Sequence, residues 1–170
     1  DDTMSLGGSV YRFRNAYLSG GVYLGGTGSA NKLDDYEEGT WTPNIAYIGN
    51  GVEANTNVAS GAYTKVGRLV NLTGFISLTD TNSGSGSVLL RGFPFTVAEV
   101  VSNTGVEASG VISYFANLGE NVNTMTLAAI SGQTYAEMYK GTLASNAPAA
   151  NSSTMNAGSN IRFSITYMTA

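Results

Sequence analysis

From Ile161 to Met168 the side chains alternate without a break, with Ile161, Phe163, Ile165 and Tyr167 set against Arg162, Ser164, Thr166 and Met168. Successive side chains of an extended chain point to opposite faces, so this period of two puts the first set in a core and the second toward the outside. Val70, Leu72, Ile76 and Leu78 stand in the same relation to Asn71, Thr73, Phe75 and Ser77. Both runs predict half-buried antiparallel strands. The rest of the chain offers little that would form a helix. Charged residues make up 12% of it, against about 25% in a typical soluble domain, so Glu, Lys and Arg are scarce. Glycine takes 22 of the 170 positions, and Ser, Thr and Asn, which bond locally to the main chain, take many more.

Further strands are predicted over Asn44–Ile48, Ala62–Val66, Ser87–Arg91, Gly110–Ala116, Thr124–Ile130 and Gln133–Tyr139. Polar loops separate them, notably at 80–86 and 144–160. Many short strands joined by such turns specify an all-β fold, an antiparallel, jelly-roll-like β-sandwich. A parallel α/β sheet would need covering helices, which the sequence does not contain.

The first third differs. Short apolar clusters, Val10-Tyr11-Arg12-Phe13, Tyr17-Leu18 and Val22-Tyr23-Leu24, are separated by the glycine pairs Gly7-Gly8, Gly20-Gly21 and Gly25-Gly26. Segments this short cannot cover their own apolar faces and require neighbours. Aromatic residues at each step distinguish the stretch from a floppy linker. Residues 1–33 therefore read as a glycine-rich stem of short strands, and 34–170 as the sandwich. The first Met stands at position 4, so the chain reads as a piece of something longer.

Several functions lose their chemistry. Without His or Cys there is no Ser-His-Asp or Cys-His constellation, no thiolate or imidazole metal site and no disulfide. A formal net charge of −4 does not suit phosphate neutralisation, which argues against nucleic acid as a partner. No apolar window approaches a membrane span, no leader is evident, and no cofactor motif appears. Asp34, Asp35, Glu37 and Glu38 could in principle supply the two carboxylates of a glycosidase, but so dense a group reads first as a solvated acidic turn. Its spacing is not that of a calcium loop. The chain is expected to be non-enzymatic and to work by presenting a surface. Tyr114, Tyr135, Tyr139 and Asn146 are the candidate ligand-binding residues, because sugars take flat aromatic faces beside polar side chains. Trp41 reads as a core anchor.

The segments Arg12–Gly28 and Leu33-Asp34-Asp35-Tyr36-Glu37-Glu38-Gly39-Thr40-Trp41-Thr42-Pro43 resemble the carboxy-terminal part of bacteriophage tail fibre and tailspike proteins. Tyr63-Thr64-Lys65-Val66-Gly67-Arg68-Leu69-Val70 and Gly92-Phe93-Pro94-Phe95 extend the resemblance over the first three fifths of the chain; the segment from Val97 onward carries none. The resemblance implies a virion protein at a tail fibre tip, an intertwined homotrimer whose glycine-rich stem enters a sandwich that recognises the host surface. That partner would be a glycan, lipopolysaccharide or capsule, or else an outer-membrane receptor. Asp34, Asp35, Tyr36, Glu37, Glu38, Trp41 and Pro43 would then shape the stem-to-tip junction, and the loops after Val97 would carry recognition. Two alternatives stand beside this: a cap that trimerises the fibre without binding a receptor, and a carboxylate-dependent polysaccharide depolymerase.

Overall fold

The alternation of the 70–78 and 161–168 runs is realised, with the apolar set of each buried. The computed structural model describes residues 4–101, 105–141 and 148–170. The chain divides into two units, Asp1–Asp35 and Tyr36–Ala170. In the first, β1 (Val22–Tyr23) pairs antiparallel with β2 (Lys32–Leu33) across a short 3-10 turn at Ser29–Asn31. The apolar clusters at 10–13 and 17–18, expected as strands, form no strand among the described residues. Tyr11, Phe13, Tyr17 and Leu18 are all exposed.

The second unit is one nine-stranded antiparallel sheet. Its strands are β3 (Tyr36–Trp41), β4 (Asn44–Tyr47), β5 (Asn55–Val66), β6 (Leu69–Asp80), β7 (Val88–Arg91), β8 (Val106–Ala116), β9 (Thr124–Ile130), β10 (Tyr135–Gly141) and β11 (Asn160–Met168). They lie in the order β3-β5-β6-β11-β8-β9-β10-β7-β4. Stretched flat, nine strands would span about 38 Å from edge to edge. Yet the two edge strands, β3 and β4, are consecutive in sequence and separated only by Thr42 and Pro43, a link that reaches about 11 Å at most. The sheet must therefore curl until its edges meet. β3 and β4 run in the same direction, so they are one extended segment that leaves one edge at Trp41 and joins the other at Asn44. Proline, with no N–H to donate, suits that corner. The expected antiparallel sandwich is thus built from a single sheet folded on itself.

The inner faces hold the core. β6 and β11 bury Val70, Leu72, Ile76, Leu78, Ile161, Phe163, Ile165 and Tyr167, as the alternation requires. Opposite them lie Ile45, Tyr47, Leu90, Leu127, Ala129 and Met138. Four aromatic rings bind the corner: Trp41 meets Phe93 and Phe163 edge-on at 5.7 and 5.9 Å, and Phe93 stacks on Tyr167 at 5.3 Å.

The acidic turn expected at 34–38 is corrected here. Tyr36, Glu37 and Glu38 belong to β3, in register with Val66, Lys65 and Thr64 of β5. An edge strand tolerates charge because one of its sides has no partner strand to exclude it.

Candidate recognition surface

Strand direction sorts the connections of the second unit into two sets. The chain enters at Tyr36, at the end of the sheet that carries the two-residue Gly67-Arg68 turn, the 131–134 turn and the longer, more apolar connection from Arg91 to Val106; this is the root end. At the opposite, loop end lie 48–54, 81–87, 117–123 and 148–159. These loops are rich in Asn, Ser and Gly, residues that make turns by bonding to their own backbone or by adopting positive φ. All three non-glycine residues with positive φ among those described, Asn82, Ser83 and Asn117, fall at this end. Backbone strain of this kind persists only where the surroundings impose it.

The surroundings are hydrogen bonds. The Asn50 carboxamide donates to the Ser83 carbonyl and accepts from the Ser85 N–H, both at 3.1 Å, joining the first two loops. Asn82 donates to the Glu53 carbonyl at 3.3 Å. Across the other pair, Gly119 N–H donates to Thr154 O at 3.0 Å and Asn117 donates to Gly158 O at 3.2 Å. The Ser87–Asn151 bridge connects the two pairs. Polar loops held this way present their remaining donors and acceptors in fixed positions.

Glu120 is the ionic centre. Its Oε1 accepts from Lys140 Nζ at 2.5 Å and from the Thr154 hydroxyl. Lys140 is almost fully buried, whereas Glu120 is partly open. The lysine bond first, and the threonine bond after it, hold the carboxyl below the ordinary glutamate value. Beside it lies an open depression of about 580 Å³ lined by Phe115, Asn117, Glu120, Asn121 and Asn123, among others.

Of the residues expected to bind ligand, Tyr135 and Tyr139 lie on the outer face of β10. They flank Glu137, to which the Tyr139 hydroxyl donates at 2.9 Å; that bond raises the Tyr139 pKa. Tyr114 is exposed on β8. It stands across from Arg162, whose guanidinium covers the Phe75 ring at 4.8 Å. β9 separates β8 from β10, and the three tyrosines do not converge on one site. Asn146 lies outside the described residues. Glu120 and the asparagines beside it lie apart from any expected aromatic platform; a carboxylate inside the Asn-rich run 117–123, between two apolar strands, is the signal the sequence holds for them.

The junction residues have separate tasks. Asp34 pairs with Lys32 at 2.8 Å, while Asp35 closes the first unit. Glu38 accepts from the Tyr36 hydroxyl at 3.1 Å and Glu37 from that of Tyr63. Being adjacent on a strand, Glu37 and Glu38 point to opposite faces. Trp41 is in the core and Pro43 at the corner.

No protein-family model matches the sequence, and no curated protein matches it. Among solved structures, the crystal structure of the Dettilon tailspike protein is similar, with a TM-score of 0.61 at 14% identity over 78% of this chain. The chain spans 23% of the length of that protein. The likeness is one of fold.

Proposed function

We propose that this chain is a receptor-binding module of a bacteriophage tail, positioned at the tip of a fibre or spike outside the host cell, and that it holds a surface glycan, lipopolysaccharide or capsule, through its loop end. The observation that carries this reading is the segregation of the long polar loops, laced together by side-chain amides, at the end of the sheet opposite the point where the chain enters. The tailspike fold likeness supports the phage setting. Binding is the whole activity in this reading: Asp34, Glu37 and Glu38 are each engaged by a lysine or tyrosine and divided between faces, which does not favour a depolymerase. A glycan array probed with the chain tests it. Binding to bacterial surface polysaccharides is expected; attachment to host cells without binding to any glycan would replace the sugar with an outer-membrane protein receptor.

A second observation favours self-association as well. Among the described residues, the exposed large apolar residues on the sheet, Tyr36, Val58, Val66, Leu69, Val106, Val111 and Tyr114, come from β3, β5, β6 and β8, and none comes from β4, β7, β9 or β10. Tyr36, Val66, Leu69 and Met168 follow one another across four neighbouring strands. We read this half as the face that copies of the chain share in a homotrimer, with residues 1–33 as an intertwined stem whose exposed rings are covered in the same way. A trimerising cap without receptor binding would show the assembly and no glycan affinity.

A further inference from the structure

Among the described residues, the loops at this end carry carboxylates and no cations. Loops 48–54, 81–87, 117–123 and 148–159 contain neither Lys nor Arg, although Glu53 and Glu120 lie in them and Asp80 borders one. Lys140, near the end of β10, is buried and bound to Glu120. An acidic saccharide brought here would lose hydration of its charge and meet only like charges or dipoles, which is costly.

The depression beside Glu120 has the opposite suitability for an uncharged sugar. Its volume, about 580 Å³, falls within the range of roughly 300–1,000 Å³ usual for small-molecule sites. Glu120 spends only Oε1 on Lys140 and Thr154; Oε2 has no partner among the described residues. Asn117, Asn121 and Asn123 are exposed along the same loop. A carboxamide both donates and accepts, as a hydroxyl does, and an ionised carboxylate accepts from two hydroxyls without needing a cation. Phe115, packed against the core, adds an apolar wall of the kind that sugar C–H faces take.

We infer that the depression formed by Phe115, Asn117, Glu120, Asn121 and Asn123 is a subsite for a neutral saccharide unit, and that the protein selects surface polysaccharides free of uronic acid, sialic acid and phosphate. This rests on the glycan-binding reading above. Among the described residues, Arg162, on the sheet face rather than in the loops, is a cation an acidic chain could use, and it therefore serves as the control.

The full-length chain is titrated against neutral polysaccharides (dextran, mannan, galactan and uncharged O-polysaccharides) and acidic ones (alginate, hyaluronan and polysialate) at low and high salt. Binding is expected to a neutral member, unchanged by salt and weakened at least tenfold by Asn121→Ala with Asn123→Ala, two exposed positions whose change leaves the thermal midpoint in place. Glu120→Gln should weaken it as well. Binding confined to acidic members, falling with salt and lost in Arg162→Ala, would overturn the inference while leaving glycan recognition standing. Neutral binding indifferent to the two asparagines would also overturn it. Silence across both sets would remove the glycan reading and this inference together.

Discussion

Trp41 occupies the space that a side chain at Gly61 would need: its Nε1 lies 2.3 Å from where a Cβ on Gly61 would stand. The two residues are register partners across β3 and β5. The same row continues through Gly74, over which the Phe163 ring lies at a comparable 2.4 Å. Two glycines in the middle of adjacent strands would ordinarily weaken a sheet. Here they leave a trough that two rings of the corner, Trp41 and Phe163, fill, and the indole donates to the Thr73 carbonyl at 3.3 Å. Gly61→Ala should therefore behave as an overpacking change and cost about 1–3 kcal/mol, while Trp41→Ala, which empties the trough, should cost about 3–5 kcal/mol. Denaturant titration read by circular dichroism compares both variants with the parent. A Gly61→Ala protein as stable as the parent would mean that the ring is not held where the packing places it.

A second contrast lies between two buried tyrosines. The Tyr167 hydroxyl donates to the Phe95 carbonyl at 2.9 Å, whereas the Tyr47 hydroxyl is buried with no hydrogen-bond partner among the described residues. Tyr47→Phe should thus be neutral or stabilising by about 1 kcal/mol, and Tyr167→Phe destabilising by a similar amount, since an unmet buried group costs what a satisfied one does not. Burial, with a smaller contribution from Asp80, pushes the Tyr47 pKa up to about 12. The neutral phenol is the form the fold favours, so its contribution is complete below the unfolded value near 10 and is lost as pH rises toward 12. Alkaline denaturation of Tyr47→Phe should begin at a higher pH than that of the parent.

How far the sequence foretold this arrangement depended on whether a residue's role was periodic. β6 and β11 were legible because the inward residue is large and apolar at nearly every second position, and β9 was found at its observed bounds, Thr124–Ile130. The first half of β5 was not: Asn55 to Gly61 contains only Val58 and Ala59 as apolar residues, and the inward positions are Ala59 and Gly61 because Trp41 supplies the missing bulk from the next strand. β3 was read as a turn because its carboxylates and glycine are poor strand formers, and only its place at an edge makes them acceptable. Trp41 reads as a core anchor, but nothing local says that it faces a glycine 20 positions further on. At the loop end, the asparagines give no periodic signal at all. Their grouping follows from strand directions, which one-dimensional patterning does not contain.

Acid should loosen the loop end before the core. Glu120 has a folded pKa below its ordinary value of 4.5, owing to Lys140 and then Thr154. A depressed carboxyl contributes stability that is present above the unfolded value and lost as pH falls through the folded one. Amide exchange at Gly119 and in 151–159 should accelerate below about pH 4.5, while β6 and β11 stay protected. Because Lys140 is the more buried partner, Glu120→Gln strands a charge and should cost about 3–5 kcal/mol, whereas Lys140→Met replaces the stem with apolar bulk and should cost far less. Equal effects from the two variants would show that the pair is too well hydrated to matter.

The apolar row across β3, β5, β6 and β11 yields the last prediction. Leu69 is nearly half exposed, at 47%, and Val66 at 42%, so within a single copy neither contributes much to folding, and a charge at either position should shift stability by less than about 0.5 kcal/mol. If copies of the chain meet on this face, the same charge is buried unpaired at each subunit contact, where it costs several kcal/mol and is multiplied by the symmetry of the assembly. Light scattering of the parent should give a mass near three times 17.6 kDa, and Leu69→Lys with Val66→Asp placed in separate proteins should each lower it toward the single-chain value without altering the circular dichroism spectrum. Mixing the two variants offers a further check: opposite charges carried by different copies would attract within the shared face, and partial recovery of the mass would locate the interface on this row. A parent that is already monomeric would leave the row as ordinary exposed surface and confine the stem's rings to some other cover.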